Sequence, residues 1–145
     1  NPLPNPPPEY RGREQDAPMK GLLTRSVAGV HFISLQIGAG ECPNIPGMID
    51  WTDQLTDFAD TAALLANLDL LITIDTAAAH LAGAMGKPAW VLLSHAPDWR
   101  WMLDRADSPW YPSLRLFRQP TPGDWATPIA EIARELESVR PINSV

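Results

Sequence analysis

A carboxylate, a hydroxyl and an imidazole fall within six positions at Asp75-Thr76-Ala77-Ala78-Ala79-His80. The apolar run Leu70-Leu71-Ile72-Thr73-Ile74 precedes them, and a small-residue helical stretch follows to Met85. This is a strand feeding a helix, with Thr76 at the N-cap position. The first N–H groups of a helix lack intrahelical acceptors and sit at the positive end of its dipole, so they suit an anion. Small side chains at positions 77 to 79 let a diphosphate approach the backbone closely. His80 lies one turn beyond Thr76 on the same face, which aims its imidazole at that anion. A plainer role fits the same residues: Thr76 a cap, Asp75 a turn former, His80 a buried histidine bonded to backbone.

The elements around this segment follow from periodicity and breakers. Val30-His31-Phe32-Ile33-Ser34-Leu35 reads as a first strand, β-branched and aromatic, closed by Gly38. Residues 37–54 form a long loop with Pro43 and Pro46. Asp57 is placed to cap a helix that runs to about Asn67, with Asp60 in its first turn and Phe58, Ala62 and Leu65 on one face. Leu70–Ile74 is a second strand, apolar enough to be buried on both faces of a parallel sheet. The helix after it stops at Gly86, two residues before Pro88. Ala89–Leu93 and Leu114–Phe117 are further strands, and Asp124 caps a last helix from Trp125 to about Val139 with Pro128 in its first turn. Met19, Leu22 and Leu23 suggest a short helix within 17–27. Strands separated by helices predict an α/β fold, a Rossmann-like parallel sheet with flanking helices. In such sheets ligands bind beyond the carboxyl ends of the strands, where Asp75 and Thr76 fall.

Composition narrows the classes. The 145 residues carry a formal charge of −6, with 45% hydrophobic and 19% charged residues. That suits one soluble domain with a single core. No Lys/Arg stripe appears, which argues against binding to nucleic acid polymers. No window approaches the ~18–20 apolar residues of a membrane span, and no signal peptide is recognised. The lone Cys42 has no partner for an internal disulfide, which fits a reducing, cytoplasmic setting. The start Asn1-Pro2-Leu3-Pro4-Asn5-Pro6-Pro7-Pro8 lacks Met and reads as a cut from something longer. Residues 1–16 are expected to be an extended proline-rich segment and 141–145 a tail.

Beyond the anion site, Asp69 to Thr76, continuing through His80 to Gly86-Lys87-Pro88, resembles the donor-domain motif of the lipopolysaccharide heptosyltransferase family. The chain resembles more closely the glycosyltransferase-like domain that follows tetratricopeptide repeats in many bacterial proteins. Counterparts are Ser34-Leu35-Gln36, Asp57 to Ala62, Asp98-Trp99-Arg100-Trp101, Trp110-Tyr111-Pro112 and Gly123-Asp124-Trp125, together covering roughly residues 30–126. The resemblance implies that residues 17–140 are the nucleotide-sugar-binding half of a GT-B glycosyltransferase, inverting and metal-independent, with the general base taken from the N-terminal half or the cleft. It implies a nucleotide-diphosphate sugar as substrate, an unnamed acceptor, no cofactor and no metal; no Asp-x-Asp motif occurs. Asp75, Thr76 and His80 match the donor motif, while its glycine is Ala77, a residue that resists φ > 0.

Further contacts are weighed on the same basis. Gln36, at a strand end beside the donor cleft, is a candidate ligand contact. Arg11 and Arg13 could reach a diphosphate or be solvated charges. Asp98 and Trp99 could wall the cleft, although tryptophans packed against the last helix are the plainer use. His31 and His95 lack metal-ligand partners, and Gly38-Ala39-Gly40 fails as a dinucleotide motif because Pro43 stands in place of its third glycine. If a strand is missing before Asn1, an open sheet edge invites a second copy. The alternatives to a transferase are a non-catalytic nucleotide- or partner-binding module on a tetratricopeptide-repeat scaffold and an epimerase-like protein sharing the cleft.

Overall fold

The computed structural model describes residues 27, 29–36 and 47–139. The proline-rich start with Arg11 and Arg13, the helix expected within 17–27 save its last residue, the Gly38 loop with Cys42, and the tail lie outside them.

Eight regular elements are present among the described residues. They are β1 (Ile33–Ser34), β2 (Ile49–Asp50), α1 (Phe58–Asn67), β3 (Leu71–Ile74), α2 (Ala77–Ala84), β4 (Ala89–Leu93), β5 (Leu114–Arg118) and α3 (Ala126–Ser138). Short 3-10 turns cover Thr52–Gln54 and Trp99–Trp101. Strands β3, β4 and β5 form one parallel sheet in that order, with Leu71 opposite Ala89 and Ala89 opposite Leu114. β1 and β2 pair in parallel as a second, two-stranded sheet. β2 lies within the stretch expected to be loop; two residues are too short a run to show alternation.

Period-two alternation divides the core into two layers. Val91 and Leu93 of β4, with Leu114 and Leu116 of β5, face α1 and α2. Leu92 and Phe117 face the opposite way, onto Ile129, Ile132 and Leu136 of α3. Leu35 packs against the first layer and Phe32 against the second, so the segment holding β1 straddles the sheet plane beside them. The expected α/β architecture is therefore present: parallel sheets with helices on both faces.

Each helix has a local cause. In α1, Asp57 Oδ1 accepts from the N–H groups of Ala59 (2.8 Å) and Asp60 (2.9 Å), as expected of its cap. Its buried face is Thr61 and Leu65, whereas Phe58 is 65% exposed. Phe58 therefore leaves the apolar face expected of it. In α3, Asp124 accepts from Thr127 N (3.1 Å) and Thr127 Oγ1 (2.7 Å), and Pro128 sits buried in the first turn, where its missing N–H costs nothing. α2 is Ala-rich, favourable for helix, and buries Ala79 and Ala82 fully against the sheet. It ends in a Schellman motif: Gly86 has φ +66°, Lys87 N donates to Ala82 O (2.9 Å) and Gly86 N to Gly83 O (3.1 Å).

Candidate functional site

Asp75 and Thr76 occupy the turn between β3 and α2, at the carboxyl edge of the parallel sheet. Thr76 has the extended backbone of an N-cap (φ −140°, ψ 169°), yet its side chain makes no capping hydrogen bond. Its Oγ1 lies instead 3.1 Å from Thr73 Oγ1. Thr76 is thus the N-cap residue, as expected, but the plainer reading of its side chain as a cap does not hold: the hydroxyl finds a half-buried partner in Thr73 of β3. The N–H groups of Ala77 and Ala78 thus have no side-chain acceptor among the described residues. Ala77 is the first residue of α2 and is absent from the positive-φ residues. The φ > 0 conformation that would have excluded alanine is not used.

His80 is half-exposed, and its partners are side chains rather than backbone. Its Nδ1 is 3.2 Å from the Tyr111 hydroxyl, and its Nε2 is 3.8 Å from Asp75 Oδ1, an ion pair only when the imidazole is protonated. The Trp101 indole stacks on the ring, with centroids 5.1 Å apart and planes at 27°. Tyr111 meets it edge-on at 5.7 Å. A methyl at Gly83 would stand 2.4 Å from Tyr111 Cγ, so the absence of a side chain there lets Tyr111 lie against α2 and reach His80. His80 is thereby aimed toward the strand end and Asp75, one turn from the uncapped N–H groups.

The segment after β4 covers the same edge. Asp98 caps the Trp99–Trp101 turn through Arg100 N (3.0 Å) and pairs with the Arg100 guanidinium (2.8 Å). The Arg100 N–H holds the Asp98 carboxyl below the usual carboxylate range, helped by the Arg100 charge and, more weakly, by His80. Trp99 is 72% exposed, with the Arg100 guanidinium 5.5 Å from its ring centroid. Trp101 is completely buried. It lies on the α2 layer rather than against the last helix, where Trp90 and Trp125 pack. Trp110 Nε1 donates to Arg100 O (2.9 Å), pinning the two aromatic loops together.

Asp75, Thr76, Ala77, His80 and Asp98 are therefore gathered at one edge, with Trp99 beside Asp98. Gln36 is exposed, and among the described residues no hydrogen bond joins its side chain to them. Sequence reading missed Tyr111 and Trp101 as partners of His80; neither periodicity nor spacing links residues 21 and 31 positions apart. No group of three or more potential metal ligands occurs among the described residues, and none of their helices is long and apolar enough to cross a membrane.

The segment that holds this strand–turn–helix edge has a counterpart among known families. Residues 55–122 match the family described as glycosyltransferase family 9 (heptosyltransferase). The chain thus contains a glycosyltransferase-like, heptosyltransferase-like domain. It is similar to Protein FlbA of Caulobacter vibrioides, 35% identical over an alignment of 117 residues that covers 74% of this chain and 19% of that protein. The chain spans about a fifth of the length of that relative. No solved structure matches it.

Proposed function

We propose that this domain is the nucleotide-sugar donor half of a GT-B glycosyltransferase, with the donor diphosphate seated at the N-terminus of α2. The observation that supports this most is the pairing of an uncapped helix start with a half-exposed His80 beside it, inside the heptosyltransferase-like segment. In this reading the N–H groups of Ala77 and Ala78 and the imidazole stabilise charge building on the leaving nucleoside diphosphate as the glycosidic bond breaks. No metal is invoked, the protein supplies the positive field, and the anomeric configuration inverts. Asp75 orients His80, and Asp98, Trp99 and Gln36 border the cleft. The acceptor and its general base come from outside this domain, and the setting is cytoplasmic.

A second reading is left open by the short span of the chain, about a fifth of the length of the relative it matches. In it the domain binds a nucleotide or a partner without transfer, as a module of a longer repeat protein. Calorimetric titration with ADP- and UDP-sugars tests the shared premise, run beside Thr76→Val and His80→Ala. Binding that His80→Ala weakens about tenfold, the loss of one charge-assisted contact, is expected, with Thr76→Val, whose hydroxyl pairs with Thr73, changing it little. No binding at millimolar nucleotide, or binding indifferent to His80→Ala, overturns the assignment. Sugar transfer by the full-length protein then separates the two readings.

A further inference from the structure

Arg118 is the last residue of β5 and shares the sheet face of Leu114 and Leu116, toward α1 and α2. Its guanidinium reaches into the segment after β4. Nη2 donates to Trp101 O (2.5 Å) and Nε to Arg105 O (2.9 Å). Nη1 is buried with no hydrogen-bond partner among the described residues. An unpaired buried donor is costly, and the two carbonyls and the charge of Asp104 offset that cost.

The two carbonyls it holds bracket a strained stretch. Met102 has φ 53° and ψ −170°, and Asp104 has φ 55°. They are the only non-glycine residues at positive φ among those described. Met102 lies in a region almost reserved for glycine, at a cost of order 1–3 kcal/mol. Such backbone persists only where its surroundings over-determine it. Here the constraint is a guanidinium tied to both ends, with the Arg105–Asp107 ion pair (2.8 Å) just beyond. Immediately before the strained stretch stands Trp101, the indole that stacks on His80.

We propose that Arg118 is a positioning residue for His80: by clamping the 101–105 backbone it holds the Trp101 indole against the imidazole. Without the clamp, residues 102 to 104 relax to ordinary dihedrals and Trp101 withdraws from the ring. Lysine cannot replace it fully, since one ammonium does not span two carbonyls as a planar fork does. The consequence for ligand affinity rests on the donor-site reading; the clamp itself does not.

The test compares the chain with Arg118→Lys, Arg118→Met and the double variant Arg118→Lys/Met102→Gly. The direct readout is the His80 imidazole proton shift by NMR at one fixed pH, because a stacked indole moves those protons upfield. Arg118→Met is expected to lose most of that displacement and Arg118→Lys part of it. Glycine at 102 accepts the left-handed backbone without strain, so the double variant recovers the shift. Binding of ADP and UDP is measured alongside and weakens about tenfold in Arg118→Met, as supporting-residue substitutions commonly cause. If Arg118→Met fails to fold, the lysine variant and its rescue decide. Unchanged His80 shifts in a folded Arg118 variant overturn the proposal, as does a lysine variant that Met102→Gly does not rescue. If the unaltered chain binds no diphosphate while the shifts behave as expected, the clamp stands and the donor-site reading falls.

Discussion

The starts of α1 and α2 both carry a residue of capping type at the N-cap position, and only the first is capped by its side chain. At α1, Asp57 takes two backbone N–H groups, while Asp60 reaches back to Thr56 N (2.9 Å) and Thr56 Oγ1 (2.6 Å). The first turn is closed upon itself. At α2, Thr76 has the same extended backbone, but its hydroxyl turns to Thr73 and leaves the first N–H groups to whatever approaches from outside. The roofs differ as well. Phe58 at the start of α1 lies open to solvent, whereas the fully buried Trp101 and the half-buried Tyr111 cover His80 of α2. Residue type at a cap position fixes the backbone conformation, and the neighbours decide where the side-chain oxygen goes.

The sharpest way to break this contrast is to remove each roof. Trp101→Ala deletes a wholly buried indole, and such truncations cost about 3–5 kcal/mol. A fall in Tm of roughly 10 °C or more is expected by calorimetry. Phe58→Ala, at a largely exposed position, should stay within about 0.5 kcal/mol. Equal losses for the two would mean that Trp101 is no structural roof and that the asymmetry between the helix starts is only local.

Smaller effects distinguish the caps themselves. Asp57→Ala removes a side chain that satisfies two donors and should cost about 1 kcal/mol in denaturant unfolding. Thr76→Val keeps the branched shape and loses only the hydroxyl pair with Thr73. Both hydroxyls are half-buried, so about 0.5 kcal/mol is expected, the lower end for a hydrogen bond. If Thr76→Val costs as much as Asp57→Ala, then Thr76 caps in solution and the N–H groups of α2 are not free.

Much of this was legible in the sequence. The α1 boundaries followed from Asp57 and its spacing to Asn67, and β4 from its apolar run between Pro88 and Ser94. Gly86 marked the stop of α2, which the left-handed Schellman turn requires. Local signals suffice where a single turn or strand decides the outcome. They failed where partners come from far along the chain. Tyr111 meets His80 because Gly83 leaves room for its ring, a fact that exists only once β5 has brought residue 111 beside α2. The hydroxyl of Thr76 found a competing partner close by, Thr73 of β3, 3.1 Å away. β2 was too short to announce itself, and the exposure of Phe58 depends on packing that its spacing does not encode.

The smallest effect is the response to acid, and it separates α2 from α1 and α3. Asp60 is held below its ordinary value of 3.8 by the Thr56 hydroxyl and N–H. Asp124 is held below the same value by the Thr127 hydroxyl and N–H. A carboxylate whose folded pKa is depressed adds stability that is complete above its unfolded value. That stability drains away as pH falls through the folded value, because the unfolded chain binds the proton first. The first turns of α1 and α3 should therefore loosen below about pH 4, each by a small amount since both carboxylates face solvent. α2 has no capping carboxylate to protonate, and its first turn should hold to lower pH. Amide proton shifts of Thr56 and Thr127, followed by NMR as the pH is lowered, should titrate with midpoints under 3.8. Fraying of all three helix starts together would show that the acid response is global and that the self-contained caps of α1 and α3 do not set them apart from the open start of α2.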